Sequence, residues 1–147
     1  MFIEALLPTT RDRLAAIPLD APLVDAAGHL AESRINLVVV CNPDGTLAGV
    51  ITKTDVVRQI GRCQGAACAM AASLVMTQDV TVCRLTDWLS DVWSTMRGRG
   101  LKHIPVLDEA SRPVGVLYAR DALQVLLAET ESEELLLRDY VLGVGYR

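Results

Sequence analysis

Two short runs of the chain carry side chains spaced for chemistry. They are Gly49-Val50-Ile51-Thr52-Lys53-Thr54-Asp55 and Gly115-Val116-Leu117-Tyr118-Ala119-Arg120-Asp121. In each, strand-like apolar residues lead straight into a polar stretch that opens a helix. A helix N-terminus presents unpaired N–H groups and partial positive charge, so a phosphate or a polarised hydroxyl fits there. Thr52 can donate or accept a hydrogen bond. Asp55, in the first turn, can accept two hydrogen bonds from a ribose diol. Lys53 adds a cation for phosphate, and Gly49 allows close backbone approach. The same spacing has a purely structural reading, because Thr52-x-x-Asp55 is also a capping box. In the second run Tyr118 stands in the threonine position, so the reciprocal cap is lost while Asp121 remains. Spacing alone leaves both readings open.

These runs belong to a longer repeat. Residues 17–57 recur without a gap at 83–123, an offset of 66 residues. Seven positions are identical: Leu19/Leu85, Leu23/Leu89, Asp25/Asp91, Val40/Val106, Gly49/Gly115, Val50/Val116 and Asp55/Asp121. A repeat of this length is a supersecondary unit used twice. Two such units can bury their apolar faces against each other and leave a cleft between them.

The elements that position the two runs follow from periodicity and turn chemistry. Met1 to Leu14 reads as a short helix, broken or redirected at Pro8. Ala16–Leu19 is extended. Asp20 or Ala21, with Pro22 in the first turn, opens a helix whose Leu23, Ala26, Ala27 and Leu30 follow the 3.6-residue period. Leu37–Cys41 is a buried strand, Asn42-Pro-Asp-Gly45 a turn and Leu47–Ile51 the partner strand. A helix capped by Thr52 or Thr54 then runs to about Ile60. The second copy repeats this as a Val80–Leu85 strand, an Asp87–Arg97 helix, strands His103–Leu107 and Val114–Leu117, and an Asp121–Ala128 helix. The expected organisation is a lead-in (1–16), a first β-α-β-β-α unit (17–60), a linker (61–76), a second unit (77–128) and a tail (129–147). The fold class is α+β, a tandem pair with pseudo-two-fold symmetry. The tail's Glu129–Glu134 is a solvated acidic stretch. Leu135-Leu136-Leu137 and Tyr140 make the rest too apolar to float free, so it is expected to pack on its own module or on a partner chain.

Composition narrows the function. The 147 residues are 51% hydrophobic, enough for a sizeable core. No apolar run reaches the roughly 18 residues of a membrane span, and the start lacks the basic and apolar regions of a signal peptide. We therefore expect a cytoplasmic protein with no membrane partner. Aromatic residues are scarce at 4% and the net charge is −4, which argues against nucleic acid. The four cysteines, Cys41, Cys63, Cys68 and Cys83, form neither a CxxC nor a zinc-type set. Cys63-x4-Cys68 is a candidate redox pair in the linker, disfavoured by a reducing compartment. Trp88 and Trp93 suit core or dimer packing better than base stacking. His29 reads as a surface or boundary residue.

The ordered pair of copies, with GVITKTD in the first and LKHIPVLD in the second, resembles the CBS-domain family over residues 9 to about 128. The resemblance implies a two-unit Bateman module that binds adenosine-type ligands (AMP, ADP, ATP, S-adenosylmethionine, sometimes NAD) in two clefts and commonly dimerises. By position it assigns Thr52 and Asp55 to the phosphate and ribose of one site. Asp121 falls to the ribose of the other, with Tyr118 where Ser or Thr is usual. Lys102 and His103 match the phosphate-reaching place before the Pro-containing strand, whereas the equivalents in the first copy, Asn36 and Leu37, carry no charge. One well-formed site is the expectation. Lys53 and Arg120, surface charges by default, flank these positions. Ile17, Leu19, Val38, Cys83, Leu85 and Ile104 match the apolar residues around adenine. The implied function is a non-catalytic adenine-nucleotide sensor that forms a homodimer and acts on an unidentified effector protein. The alternatives are a ligand-free dimerisation or adaptor domain with self-filled clefts, and a redox-responsive protein using Cys63 and Cys68. An enzyme fits least, since no catalytic triad, metal cluster or P-loop is present.

Overall fold

The β-branched run Leu37–Cys41 forms the middle strand of a small mixed sheet. In the computed structural model, which describes the backbone of residues 1–63 and 69–142 and the side chains of 1–62 and 69–138, β1 (Ala16–Pro18) pairs parallel to β2 (Leu37–Cys41), and β2 pairs antiparallel to β3 (Leu47–Thr52). The Asn42–Thr46 turn closes the hairpin, with Gly45 at φ 89° and the Asp44 carboxylate accepting from the Thr46 N–H and hydroxyl. The second copy builds the same sheet from β4 (Cys83–Arg84), β5 (His103–Leu107) and β6 (Pro113–Tyr118). Even the register irregularity recurs, at Val40/Cys41 and at Val106/Leu107.

Alternation along β2 sends its side chains to two different cores. Val38 and Val40 join Ile51 and the helical Leu23, Ala26 and Leu30 in the core of the first unit. Leu37 and Val39 face the other way and meet Val50, Val116 and Tyr118 in a seam shared by both units. Burial on both faces explains why the strand is apolar throughout. Helices cover the outer faces: α2 (Leu23–Leu30) and α3 (Lys53–Cys63) in the first unit, α5 (Leu89–Arg99) and α6 (Ala119–Leu142) in the second.

The segments that precede the units are exchanged. A 3-10 turn at Ile3–Leu6 buries Ile3 and Leu6 in the core of the second unit. It is tied there by Ile3 N–H to Asp87 O at 2.9 Å, Glu4 N–H to Leu85 O at 3.0 Å and Leu89 N–H to Met1 O at 2.8 Å. Conversely, α4 (Ala72–Val75) buries Ala72 in the core of the first unit, with Val75 and Met76 against it. Leu23 N–H donates to Met70 O at 2.7 Å and Ala72 N–H to Ala21 O at 2.8 Å. The paired glycines mark the crossing points. A Cβ on Gly115 would lie 2.6 Å from Thr10 Oγ1, in α1 (Leu7–Asp12), and one on Gly49 would lie 2.7 Å from Thr77 O.

Several boundaries differ from expectation for local reasons. The lead-in changes from the 3-10 turn to α1 at Leu7, beside Pro8, and Pro8 itself lies in the first turn of α1, where a missing N–H is harmless. Pro22 becomes the cap of α2 and lies outside it. The expected Val80–Leu85 strand shrinks to Cys83–Arg84, because only those residues pair with β5. The acidic stretch after Ala128 continues α6 to Leu142. Leu135, Leu136 and Leu137 are exposed on it, so this part of the tail does not pack on its own module. Trp93 packs against the second core, whereas Trp88 is exposed and stacks on Phe2 with ring centroids 4.6 Å apart. Cys68 and the side chain of Cys63 lie outside the described residues.

Because Thr10 is buried beneath Gly115, Gly115→Ala should cost about 1–3 kcal/mol of stability. For a chain of this size each kcal/mol moves Tm by roughly 2–4 °C. Gly28→Ala in α2, where a Cβ meets nothing within 4 Å, should instead leave Tm unchanged or raise it slightly. Thermal unfolding of the two variants checks the contrast.

Candidate ligand-binding cleft

The junction of β3 and α3 forms the cap that its spacing allows. Thr52 N–H and hydroxyl both donate to Asp55 Oδ2, at 2.9 and 3.1 Å, and Asp55 N–H donates to Thr52 Oγ1 at 3.4 Å. Asp55 Oδ1 meets Arg58 Nη1 at 3.5 Å, but Arg58 is about half exposed, so this pair binds weakly. The cap does not hide the site. Thr52 and Asp55 line an open cleft of about 260 Å³ between the two units. Leu37 and Val50 come from the first unit. Val80, Leu101 and Ile104 supply apolar wall from the second, and Thr77, Asp79, Thr81 and His103 supply polar groups. The cleft thus mixes apolar surface with acceptors suited to hydroxyl and amino donors, and no Lys or Arg is among its lining residues.

The second junction is built differently. Tyr118 is 3% exposed and sits in the seam. Its hydroxyl donates to Arg34 O at 2.7 Å and accepts from Asn36 N–H at 2.8 Å. The Arg13 guanidinium lies 4.3 Å above the ring, and His103 meets the ring edge-on. Arg13 Nε then donates to Asp121 Oδ2 at 3.2 Å and Nη2 to Oδ1 at 3.1 Å. The two side chains are only 16% and 11% exposed. At the position that mirrors Asp55, the carboxylate of Asp121 is therefore taken by the chain's own Arg13.

Three further cations gather near the seam. Lys102, Arg120, Asn36, His103 and Tyr118 line a separate hollow of about 200 Å³. Lys53 Nζ donates to Asn36 Oδ1 at 3.3 Å and so reaches the edge of this hollow. His103 faces both the hollow and the first cleft. Its burial, aided by the positive charges of Lys102, Arg13, Arg120 and Lys53, holds its pKa below the usual value. Tyr118 is pushed up, chiefly by burial, against the opposing effects of the Asn36 N–H and Arg13.

Of the residues selected from sequence, Thr52, Asp55, His103 and Ile104 meet in the first cleft. Lys102, Tyr118 and Arg120 meet His103 in the seam hollow, with Lys53 at its edge. Ile17, Leu19 and Val38 stand in or against the first core, Cys83 and Leu85 in or against the second. Burial pushes the Cys83 thiol up to about 12, and it raises Cys41 as well. Sequence reasoning missed Arg13 and Asp79, although the 66-residue offset, carried back beyond residue 17, pairs them with each other. No group of three His, Cys, Asp or Glu residues placed to hold a metal occurs among the described residues. No described helix is long and apolar enough to cross a membrane.

Because the folded state disfavours the protonated imidazole of His103, the unfolded chain binds the proton more readily. Stability should be flat above about pH 6.5 and fall as pH drops from there toward the lower folded pKa. His103→Gln should remove that part of the slope, which urea unfolding between pH 5 and pH 8 would measure.

The comparisons with known proteins agree with this architecture. The family profile described as CBS domain matches residues 6–62 and again 71–128. The 5'-AMP-activated protein kinase subunit gamma of Saccharomyces cerevisiae is 26% identical over 124 residues, covering 80% of this chain and 38% of that protein. The uncharacterized protein MK0525 of Methanopyrus kandleri is 25% identical over 126 residues, covering 84% and 64%. The chain thus spans less than two thirds of either relative. Among solved structures, the CBS-domain containing protein ATU1752 of Agrobacterium tumefaciens superposes with TM-score 0.70 at 25% identity, covering 85% of this chain and 98% of that one. The CBS domain pair of protein MJ0100, solved in complex with 5'-methylthioadenosine and S-adenosyl-L-methionine, shares the fold with TM-score 0.71 at 18% identity, covering 88% and 98%. With both units matched and their arrangement reproduced, the chain belongs to the CBS domain family as a tandem pair of CBS units.

Proposed function

We propose that the chain is a regulatory, non-catalytic module that binds an adenosyl ligand (AMP, ADP, ATP, S-adenosylmethionine or NAD) in its first cleft and reports occupancy to an effector protein. The observation that carries this reading is the open cleft in which Thr52 and Asp55 of one unit face Thr81, His103 and Ile104 of the other. Asp55 would accept the ribose hydroxyls and the apolar walls would hold the base. A cavity of about 260 Å³ is below the roughly 300–1,000 Å³ of typical drug-sized pockets, which favours a mononucleoside over NAD. A ligand that carries phosphate would turn it past His103 toward Lys102, Arg120 and Lys53. The names of the yeast kinase subunit and of the MJ0100 complex support the ligand class. Both units line the cleft, so a ligand that favours one spacing of the units would shift the population toward it. We place the module in the cytoplasm as a homodimer.

A second reading, a ligand-free dimerisation or adaptor domain, draws on the self-filled second cleft and on the exposed Leu135, Leu136 and Leu137 of α6.

Thermal unfolding separates the two. At 100-fold excess over Kd a ligand stabilises the native state by about 2.7 kcal/mol, a shift of several degrees. One of AMP, ADP, ATP, S-adenosylmethionine or NAD should raise Tm of the wild-type chain. Asp55→Ala should lose the shift, and Asp121→Ala should keep it relative to its own baseline. If a folded, nucleotide-free protein responds to none of them, the adaptor reading stands in place of the sensor.

A further inference from the structure

The two clefts arise from one repeated unit, yet the first aspartate faces open volume and the second is occupied by the chain's own side chains, and two of the equivalent positions that differ supply the occupants. Where the first cleft has Thr52, the second has Tyr118. Where the first has Asp79, the second has Arg13. The remaining partner, Asp55 or Asp121, is the same in both.

We infer that Arg13 is a built-in occupant of the second cleft, standing in for the ligand diol on Asp121 and limiting the chain to one bound ligand. The inference rests on the adenosyl reading of the first cleft. A cis-diol presents two adjacent O–H donors to a carboxylate. The guanidinium fork presents two N–H donors in the same manner, and both oxygens of Asp121 are taken, at 3.1 and 3.2 Å. Its charge and planarity make this pairing stronger than the neutral hydroxyl pairing it replaces. The flat face of the guanidinium lies against Tyr118, 4.3 Å from the ring centroid. Tyr118 in turn is fixed by its bonds to Arg34 O and Asn36 N–H. A platform held at its hydroxyl end and a cation held by both oxygens of Asp121 thus stack on each other at the second junction.

Arg13 follows directly after α1, and α1 lies against β6 through the Thr10–Gly115 contact. The occupant is thus delivered by the exchanged lead-in. No such delivery closes the first cleft, because the corresponding position on the other lead-in is Asp79, which lines that cleft with Asp55 and has no N–H fork to offer it.

Calorimetric titration with AMP, ADP, ATP, S-adenosylmethionine and NAD, each in turn, tests the inference on three proteins: wild type, Arg13→Ala, and Arg13→Ala/Tyr118→Thr. Circular dichroism establishes which variants fold. The wild-type chain should bind one equivalent of at least one probe. The double variant should bind two, and Arg13→Ala should show a second, weaker event with Kd at least tenfold higher. One equivalent in every folded variant would overturn the occupant role while leaving the first cleft as a sensor. No binding of any of these probes to the wild type would overturn the adenosyl reading and this inference with it. The wild type supplies an arm that needs no variant: the Arg13 Nε–H resonance should stay unchanged at saturation. Its displacement together with two bound equivalents would contradict the inference.

Discussion

Each repeat is completed by the segment that introduces the other. Neither three-stranded sheet with its two helices closes its core alone. Ile3 and Leu6 finish the second unit, and Ala72 with Val75 and Met76 finishes the first. The exchange works only because the chain can cross at van der Waals distance over β3 and β6, where Gly49 and Gly115 have no Cβ to obstruct Thr77 and Thr10. The seam of Leu37, Val39, Val50, Val116 and Tyr118 depends on that crossing, since it holds the two sheets face to face. Both clefts lie at the edges of this seam, so their geometry follows from the exchange.

Within that symmetric frame, a few side chains make the two strand-to-helix junctions different. The strand-to-helix junction supplies an aspartate in both copies. A small threonine in the first leaves the aspartate facing open volume. A phenol in the second extends into the seam, finds backbone partners at Arg34 and Asn36, and becomes a surface on which Arg13 lies. The positive charges of the molecule's centre collect on the same side, around His103, Lys102 and Arg120. The first cleft keeps carboxylates and the seam hollow keeps cations. His103 lines both.

How much of this was legible depended on how local its cause is. Strands β2 and β5 occupy the residues their apolar runs indicate, because burial on both faces leaves no room for polar interruptions. The Thr52–Asp55 cap formed as its spacing allows. Helix ends are less legible: Pro22 serves as a cap outside α2, and the Glu-rich stretch after Ala128, solvated as expected, continues α6 beyond the expected end because glutamate is a good helix former. The exchange of lead-ins left no local signature, since Ile3 and Leu6 look the same whichever core receives them. Arg13 escaped notice for another reason. It lies outside the stretch where the copies resemble each other, so its pairing with Asp121, 108 residues away, is a product of tertiary structure alone.

The central claim is that an adenosyl ligand enters the first cleft and leaves the second as it is. Amide hydrogen exchange with and without saturating AMP or 5'-methylthioadenosine tests it most directly. The account predicts slowed exchange at Thr52–Asp55, at Val80 and Thr81 and around His103 and Ile104, with Tyr118–Asp121 unchanged. Slowed exchange centred on Tyr118–Asp121, with the first junction unaffected, would contradict it.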